Sequence, residues 1–288
     1  MTSLEQAINA RSSLEFAKGR ARPPPRTTPF GTIAPGNTRP ISLVTLAALI
    51  GLWAVAASAH WVSPLFLPAP WAVAKKFVVV WNEGFAGFTL AEHIWASLSR
   101  VLIALALAIV TAIPVGLAMG MNRFAKGVAD PLIDFYWPLP PLAYLPLIII
   151  WLGIDETAKI VLIFLSMFAP IAIAAQAGVR SVSVERIQAA YTLGASRWKV
   201  FVHVIARGAL PEILTGVRIA IGAGWSTLVA AELVASNKGV GFMIISASRF
   251  MVTDVALMGL FVIAALAISF LYLMKAIETV LTPWKGKT

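Results

Sequence analysis

Long apolar runs alternate along this chain with short polar and basic breaks. A membrane-spanning helix needs about 20 mostly apolar residues, since each adds ~1.5 Å towards a hydrocarbon core ~30 Å thick. Six runs meet that length, at about 42–61, 98–121, 132–153, 158–178, 213–235 and 253–275. The pattern therefore predicts an all-α integral membrane protein with six transmembrane helices. Between the first two runs, residues 65–81 are apolar but interrupted by Pro68, Pro70, Lys75 and Lys76, which predicts an interfacial helix and not a further span. Residues 1–40 are polar, basic and proline-rich (Pro23-Pro24-Pro25), and read as a mobile cytoplasmic tail with a short helix near 13–18. The first apolar run starts near Ile41, too late for a secretory signal.

Two irregularities require protein neighbours. The third run carries Pro131, Pro138, Pro140, Pro141 and Pro146, each removing a backbone N–H, and lipid cannot satisfy the carbonyls left over. Gly116 and Gly120 in the second run, and Gly216, Ala220 and Gly224 in the fifth, recur at the four-residue spacing that lets helices approach closely.

Composition and charge change the picture only in part. The chain is 59% hydrophobic and 12% charged, against about 25% charged in ordinary soluble domains. Its net charge of +10 would suit nucleic acid if the basic residues clustered, but they sit in the breaks between apolar runs. With the N-terminus placed in the cytoplasm, seventeen Lys and Arg fall on the inner side and six (Lys75, Lys76, Arg100, Lys159, Lys238 and Arg249) on the outer side. That excess predicts that both termini are cytoplasmic. There is no cysteine, and His60, His93 and His203 lie far apart, so neither disulfide nor metal chemistry is expected.

The longest cytoplasmic break, 179–212, holds the most local information. Ser183 is placed to cap a helix with Glu185 in its first turn. Gly194 suits the left-handed residue that ends it, and Ser196 can cap a second helix returning to the membrane. Helix, sharp break and helix together would present one short helix to something in the cytoplasm.

Gln188-Ala189-Ala190, three residues and then Gly194 resemble the "EAA" loop of bacterial binding-protein-dependent ABC importer permeases, with Gln188 for the usual Glu and Ala206-Arg207 for the usual Leu-Pro. Further stretches resemble the taurine, sulfonate, nitrate and bicarbonate branch of that family, taurine permeases above all. They are Pro64–Pro70, Pro138–Pro146, Ile154-Asp155-Glu156-Thr157, Gly208–Gly216, Gly224–Glu232 and Leu281–Gly286. The resemblance implies the type I importer permease fold, an interfacial helix after helix 1 and a coupling helix in the 179–212 loop. Its docking residues for an ATPase subunit would be Gln188, Ala189, Ala190, Leu193, Gly194, Ala195 and Ser196. It further implies a second copy of the chain, two cytoplasmic ATPase subunits that use ATP and Mg, an extracytoplasmic binding protein and a bacterial inner-membrane location. The chain would then comprise a tail at 1–40, a first helix with its interfacial segment at 41–92, a permease core at 93–278 and a C-terminal tail at 279–288.

No Gly-x-x-x-x-Gly-Lys-Ser/Thr loop occurs, so ATP hydrolysis is expected in a separate subunit and no cofactor on this chain. Glu232 lies about 21 Å along its helix from Arg218, in the outer half of the membrane. It reads equally as a translocation-path residue, with Trp225, Ser226 and Thr227 a turn or two below, or as a structural acid held by neighbouring helices. Asp134 reads as an interfacial acid. An ion-coupled secondary transporter is the rival class, but would show related halves and several intramembrane charges, whereas Glu232 stands as the one deep acid. A membrane-bound enzyme lacks any His, Cys or acid cluster to work with.

Overall fold

A computed structural model describes residues 39–284. The readings of residues 1–38 as a tail with a short helix, and of Lys285, Gly286 and Lys287 at the other end, lie outside the described residues. The described part is helical: α1 (Arg39–Ser58), α2 (Pro70–Glu83), α3 (Leu90–Met121), α4 (Arg123–Tyr136), α5 (Pro141–Leu152), α6 (Glu156–Arg180), α7 (Val184–Thr192), α8 (Arg197–Val200), a π-helical stretch Phe201–Ala206, α9 (Arg207–Ala235), α10 (Val240–Arg249) and α11 (Thr253–Leu281). Among the described residues, five helical segments are long and apolar enough to cross a membrane, or six if α4 and α5 count as one broken span. The chain divides into two compact units at Leu49/Ile50, inside α1. The first contributes only the start of that helix to the described residues, and the second carries the remaining helices.

The core of the second unit is a layer of three helices with α6 in the middle. Parallel α3 and α6 meet along a stripe of small residues: Ala104, Ala108, Ala112 and Gly116 recur every fourth residue on the buried face of α3, and Gly116 packs against Ala172 and Ala175. A Cβ on Gly116 would collide with the Ala172 carbonyl, and one on Gly216 of α9 with Ala174. The small-residue spacing read from the sequence is thus used for close helix approach on both faces of α6. Without a hydrophobic drive between helices in lipid, such approach is what van der Waals cohesion requires. The start of α3 is fixed locally by a capping box, in which Thr89 Oγ1 accepts from Glu92 N at 3.3 Å and Glu92 Oε2 accepts from Thr89 N at 2.7 Å.

Three expectations need correction. The run 132–153 is not one straight span: α4 and α5 are bent by 106°. Pro138, Pro140 and Pro141 supply no N–H at the break, so the helical ladder cannot continue through it. The interfacial helix starts at Pro70, which takes its first turn, and not at 65. The fifth apolar run extends well before 213, through α8 and the π-helical stretch, so the second arm of the 179–212 break is continuous with its span. A further short helix, α10, has no counterpart among the apolar runs, because ten residues of mixed character fall below the length of any span.

Candidate functional site

Two places combine chemistry with geometry. The first is a buried charge cluster joining α3, α6, α9 and the start of α10. Arg100 of α3 donates side-on to Glu156, with Nε to Oε2 at 2.6 Å and NH2 to Oε1 at 2.7 Å. Its NH1 donates to Glu232 Oε1 at 2.6 Å and to the Lys238 carbonyl at 3.0 Å. Lys159 Nζ donates to Glu156 Oε1 at 2.9 Å. Two cations thus meet two carboxylates, so the cluster carries no net charge. Arg100, Lys159 and Glu232 are buried, and only Glu156 reaches the surface.

The same cluster caps α10 from a distance. His93, Ser97 and Arg100 lie four and three residues apart, on one face of α3. Gly239 N donates to His93 Nδ1 at 3.0 Å, Val240 N to Ser97 Oγ at 2.9 Å and Gly241 N to Glu232 Oε2 at 2.7 Å. Ser97 Oγ in turn donates to Glu232 Oε1 at 2.8 Å. His93 Nε2 lies 3.0 Å from the Phe85 carbonyl, which fits the tautomer with the proton on Nε2 and a free acceptor at Nδ1. The N–H groups that a helix start leaves without intrahelical partners are therefore met by side chains of two other helices. A Cβ on Gly239 would meet the Glu232 carboxylate, and the backbone there has φ +139°, so glycine is required twice over.

Glu232 is thus placed in a satisfied ion network, fully buried. Trp225 is buried in the core, edge-on to Phe270 with ring centroids 5.7 Å apart. Ser226 is exposed, and with the buried Thr227 it lines a cavity of about 260 Å³ beside the α4–α5 break. The four residues are therefore not brought to one surface. Arg100 and Lys159, counted among the outer-side charges, are buried members of the network. By apolarity alone the second run starts at 98 and Arg100 looks terminal, whereas α3 starts at Leu90 and carries Arg100 inside it. His93, Ser97 and Arg100 at one-face spacing, followed by an apolar helix, are the signal in the sequence that points to this cluster.

The second place is the 179–212 break. α7 has no buried residue, and Gln188 and Ala189 are exposed, with Ala190 partly so. Gly194 has φ +79° and donates to the Tyr191 carbonyl at 2.9 Å, while Ala195 N reaches the Ala190 carbonyl at 3.0 Å. This pair of bonds is a Schellman end, with Gly194 as the left-handed residue expected to finish the helix. Leu193 is 88% exposed, and Ala195 leads to Ser196, whose side chain accepts from Lys199 N at 3.4 Å. Ser183 occupies the N-cap of α7 without a side-chain cap bond. Between α7 and the following arm lies a cavity of about 560 Å³ lined by Arg186, His203, Arg207 and Trp284 among others. Among the described residues, no group of three His, Cys, Asp or Glu could hold a metal.

Residues 108–284 match the family model "Binding-protein-dependent transport system inner membrane component". The chain is 51% identical over 248 residues to the taurine transport system permease protein TauC of Escherichia coli, covering 86% of this chain and 90% of that one. It is 31% identical over 229 residues to the nitrate import permease protein NrtB of Synechocystis, covering 77% and 82%. Among solved structures, the MetNI methionine ABC transporter in an inward-facing form aligns with a TM-score of 0.60 at 17% identity, covering 67% of this chain and 96% of that chain. That match bears on the fold, which is the type I ABC importer permease fold. The sequence and fold agree, and the chain belongs to the binding-protein-dependent transport system inner membrane components, the permease family of ABC importers.

Proposed function

We propose that two copies of this chain form the translocation path for a small sulfonate, taurine first, received from an extracytoplasmic binding protein and moved at the expense of ATP hydrolysed by two cytoplasmic ATPase subunits. The observation that carries the substrate is the 51% identity to a taurine permease along nearly the full length of both chains. The observation that carries the coupling is α7, a short exposed helix with a fixed end, set between two spans. Its residues Gln188, Ala189, Ala190 and Leu193, with Gly194, Ala195 and Ser196 shaping the turn, seat in a groove of the ATPase. Ser226 and Thr227 face the path, while Trp225 and Glu232 hold the helices that form it. Both termini lie in the cytoplasm, and the segments divide as 1–40, 41–92, 93–278 and 279–288.

The test is uptake by the assembled transporter in proteoliposomes. Radiolabelled taurine should enter only with ATP and the binding protein, and an ATPase subunit with an inactivated phosphate loop should abolish entry. Accumulation driven by an ion gradient without ATP would instead establish the secondary-transporter reading. Competition by nitrate as strong as that by unlabelled taurine would reassign the substrate within the family. Orientation is tested with cysteines at the exposed positions Asp155 and Arg197. In intact cells an impermeant thiol reagent should label the first and not the second.

A further inference from the structure

The cavity beside the α4–α5 break has a lining that suits one kind of solute. Its walls come from Tyr136 and Trp137 at the end of α4, Tyr144 in the first turn of α5, Ser166 of α6, and Ser226 and Thr227 of α9, and no charged side chain lines it. At about 260 Å³ the cavity has room for a solute the size of a two-carbon aminosulfonate.

The hydroxyls divide into donors and acceptors. Ser226 Oγ donates to the Gly222 carbonyl at 3.2 Å and Ser166 Oγ to the Ile163 carbonyl at 2.7 Å. Each has thereby used its one proton on its own helix and offers only lone pairs to the cavity. Thr227 differs: it is 4% exposed, lines the cavity, and its hydroxyl has no hydrogen-bond partner among the described residues. The Thr227 hydroxyl is not sealed off, so its proton is available to a ligand oxygen or water in the cavity. The start of α5, where Pro141 lines the same cavity, adds the positive end of a helix. One part of the lining is therefore suited to an anionic oxygen. Another part, with the Ser lone pairs and the faces of Tyr136 and Trp137, suits an ammonium group.

We infer that the permease has its own binding site for a zwitterionic aminoalkanesulfonate in this cavity, with Thr227 donating to the sulfonate and Ser226, Ser166 and the two aromatic rings receiving the ammonium. This rests on the sulfonate reading above and deepens it. Neutral partners hold both charges without a buried counter-charge, so the solute binds weakly enough to leave, as a conducting site requires.

The experiment is equilibrium binding of radiolabelled taurine to the permease–ATPase complex in lipid nanodiscs, with the binding protein absent. Saturable binding is expected, competed by unlabelled taurine and at least tenfold less well by ethanesulfonate, which lacks the amine. Thr227→Val removes the donor at nearly constant shape and should weaken binding by roughly tenfold, about what one hydrogen bond to a charged group contributes. Thr227→Ser should restore it, and an unchanged melting temperature in both shows that the fold is intact. If Thr227→Val does not assemble, Ser226→Ala at the exposed wall supplies the second test, with weaker taurine binding and unchanged ethanesulfonate binding expected. No taurine binding by wild type, equal binding by the folded variants, or equal competition by ethanesulfonate would each overturn the site. Uptake separates this failure from the other: a wild-type transporter that imports no taurine sinks the substrate reading and the site with it. One that imports taurine while its permease–ATPase complex binds none sinks the site alone.

Discussion

The two ends of the α6-centred layer are built by opposite means. At the end where α6 begins, four helical segments are tied by Arg100, Glu156, Lys159 and Glu232, and the polar groups of the cluster meet one another at hydrogen-bonding distance. At the end where α6 finishes, α7 buries nothing, and its shape depends on backbone turns around Gly194. One end is held by side chains from distant parts of the chain, the other by local conformation. The difference teaches what each end can tolerate. Loss of a group at the first leaves a buried charge unpaired, whereas loss at the second changes where a helix points and leaves the bundle standing.

The largest effect is therefore expected for Arg100→Met. Breaking a buried pair by removing one partner costs about 3–5 kcal/mol, because the remaining charge stays desolvated. Glu232 would keep Ser97 and the Gly241 N–H but lose its cation, and α10 would lose its anchor to α3 at the Lys238 carbonyl. The melting temperature of the purified permease should fall sharply and its yield with it. A variant as stable as wild type would mean that the cluster is dispensable and the comparison between the ends empty. The double variant Arg100→Met with Glu232→Leu should recover part of the loss, since no unpaired charge then remains.

Glu232→Gln is the next largest. The amide keeps the shape but turns one acceptor oxygen into a donor facing Arg100 or the Gly241 N–H, at about 2 kcal/mol for a charge-assisted bond. Taurine uptake per assembled transporter should stay near wild type while the melting temperature drops. Uptake lost at full stability would return Glu232 to the path.

This division explains how much could be read from the sequence. The spans were legible because lipid imposes length and apolarity on each of them independently. Gly194 was legible because a Schellman end is fixed by a few consecutive residues. The charge cluster was not, since Arg100, Glu156 and Glu232 are 56 and 132 residues apart in the pairs they form. Three ionisable residues scattered over three apolar runs look like one buried acid and two loop charges until the helices are packed. The α4–α5 break was half legible: the prolines announced unpaired carbonyls, but not the bend of 106° that opens the cavity.

At the other end, Gly194→Val should leave the melting temperature within a few degrees of wild type and cut ATPase co-purification and uptake. A residue with a Cβ at φ +79° is disfavoured by about 1–2 kcal/mol, more with β-branching, and the turn relaxes to escape it. There is open space around Gly194, so sterics against neighbours contribute nothing and the effect is conformational alone. Gly194→Asn should be milder, because Asn tolerates the left-handed region. Undiminished uptake in both would make the glycine incidental.

The smallest effect is expected for Ser196→Ala, which tests whether the second arm or the turn sets the direction of α7. Ser196 caps α8 through a bond from Lys199 N of 3.4 Å, near the long limit for a hydrogen bond. An N-cap serine contributes about 0.5–2 kcal/mol, and a bond this long in an exposed position belongs at the low end of that range. The loss falls on the first turn of a helix that continues through the π-helical stretch into α9, so the arm has many other residues to hold it. Uptake and ATPase co-purification should therefore be nearly those of wild type, with Gly194→Val beside it strongly impaired. If Ser196→Ala uncouples hydrolysis from uptake as much as Gly194→Val does, α7 is aimed by the stiffness of the arm behind it. The local turn would then no longer account for this end of the molecule, which would depend on its neighbours as the charged end does.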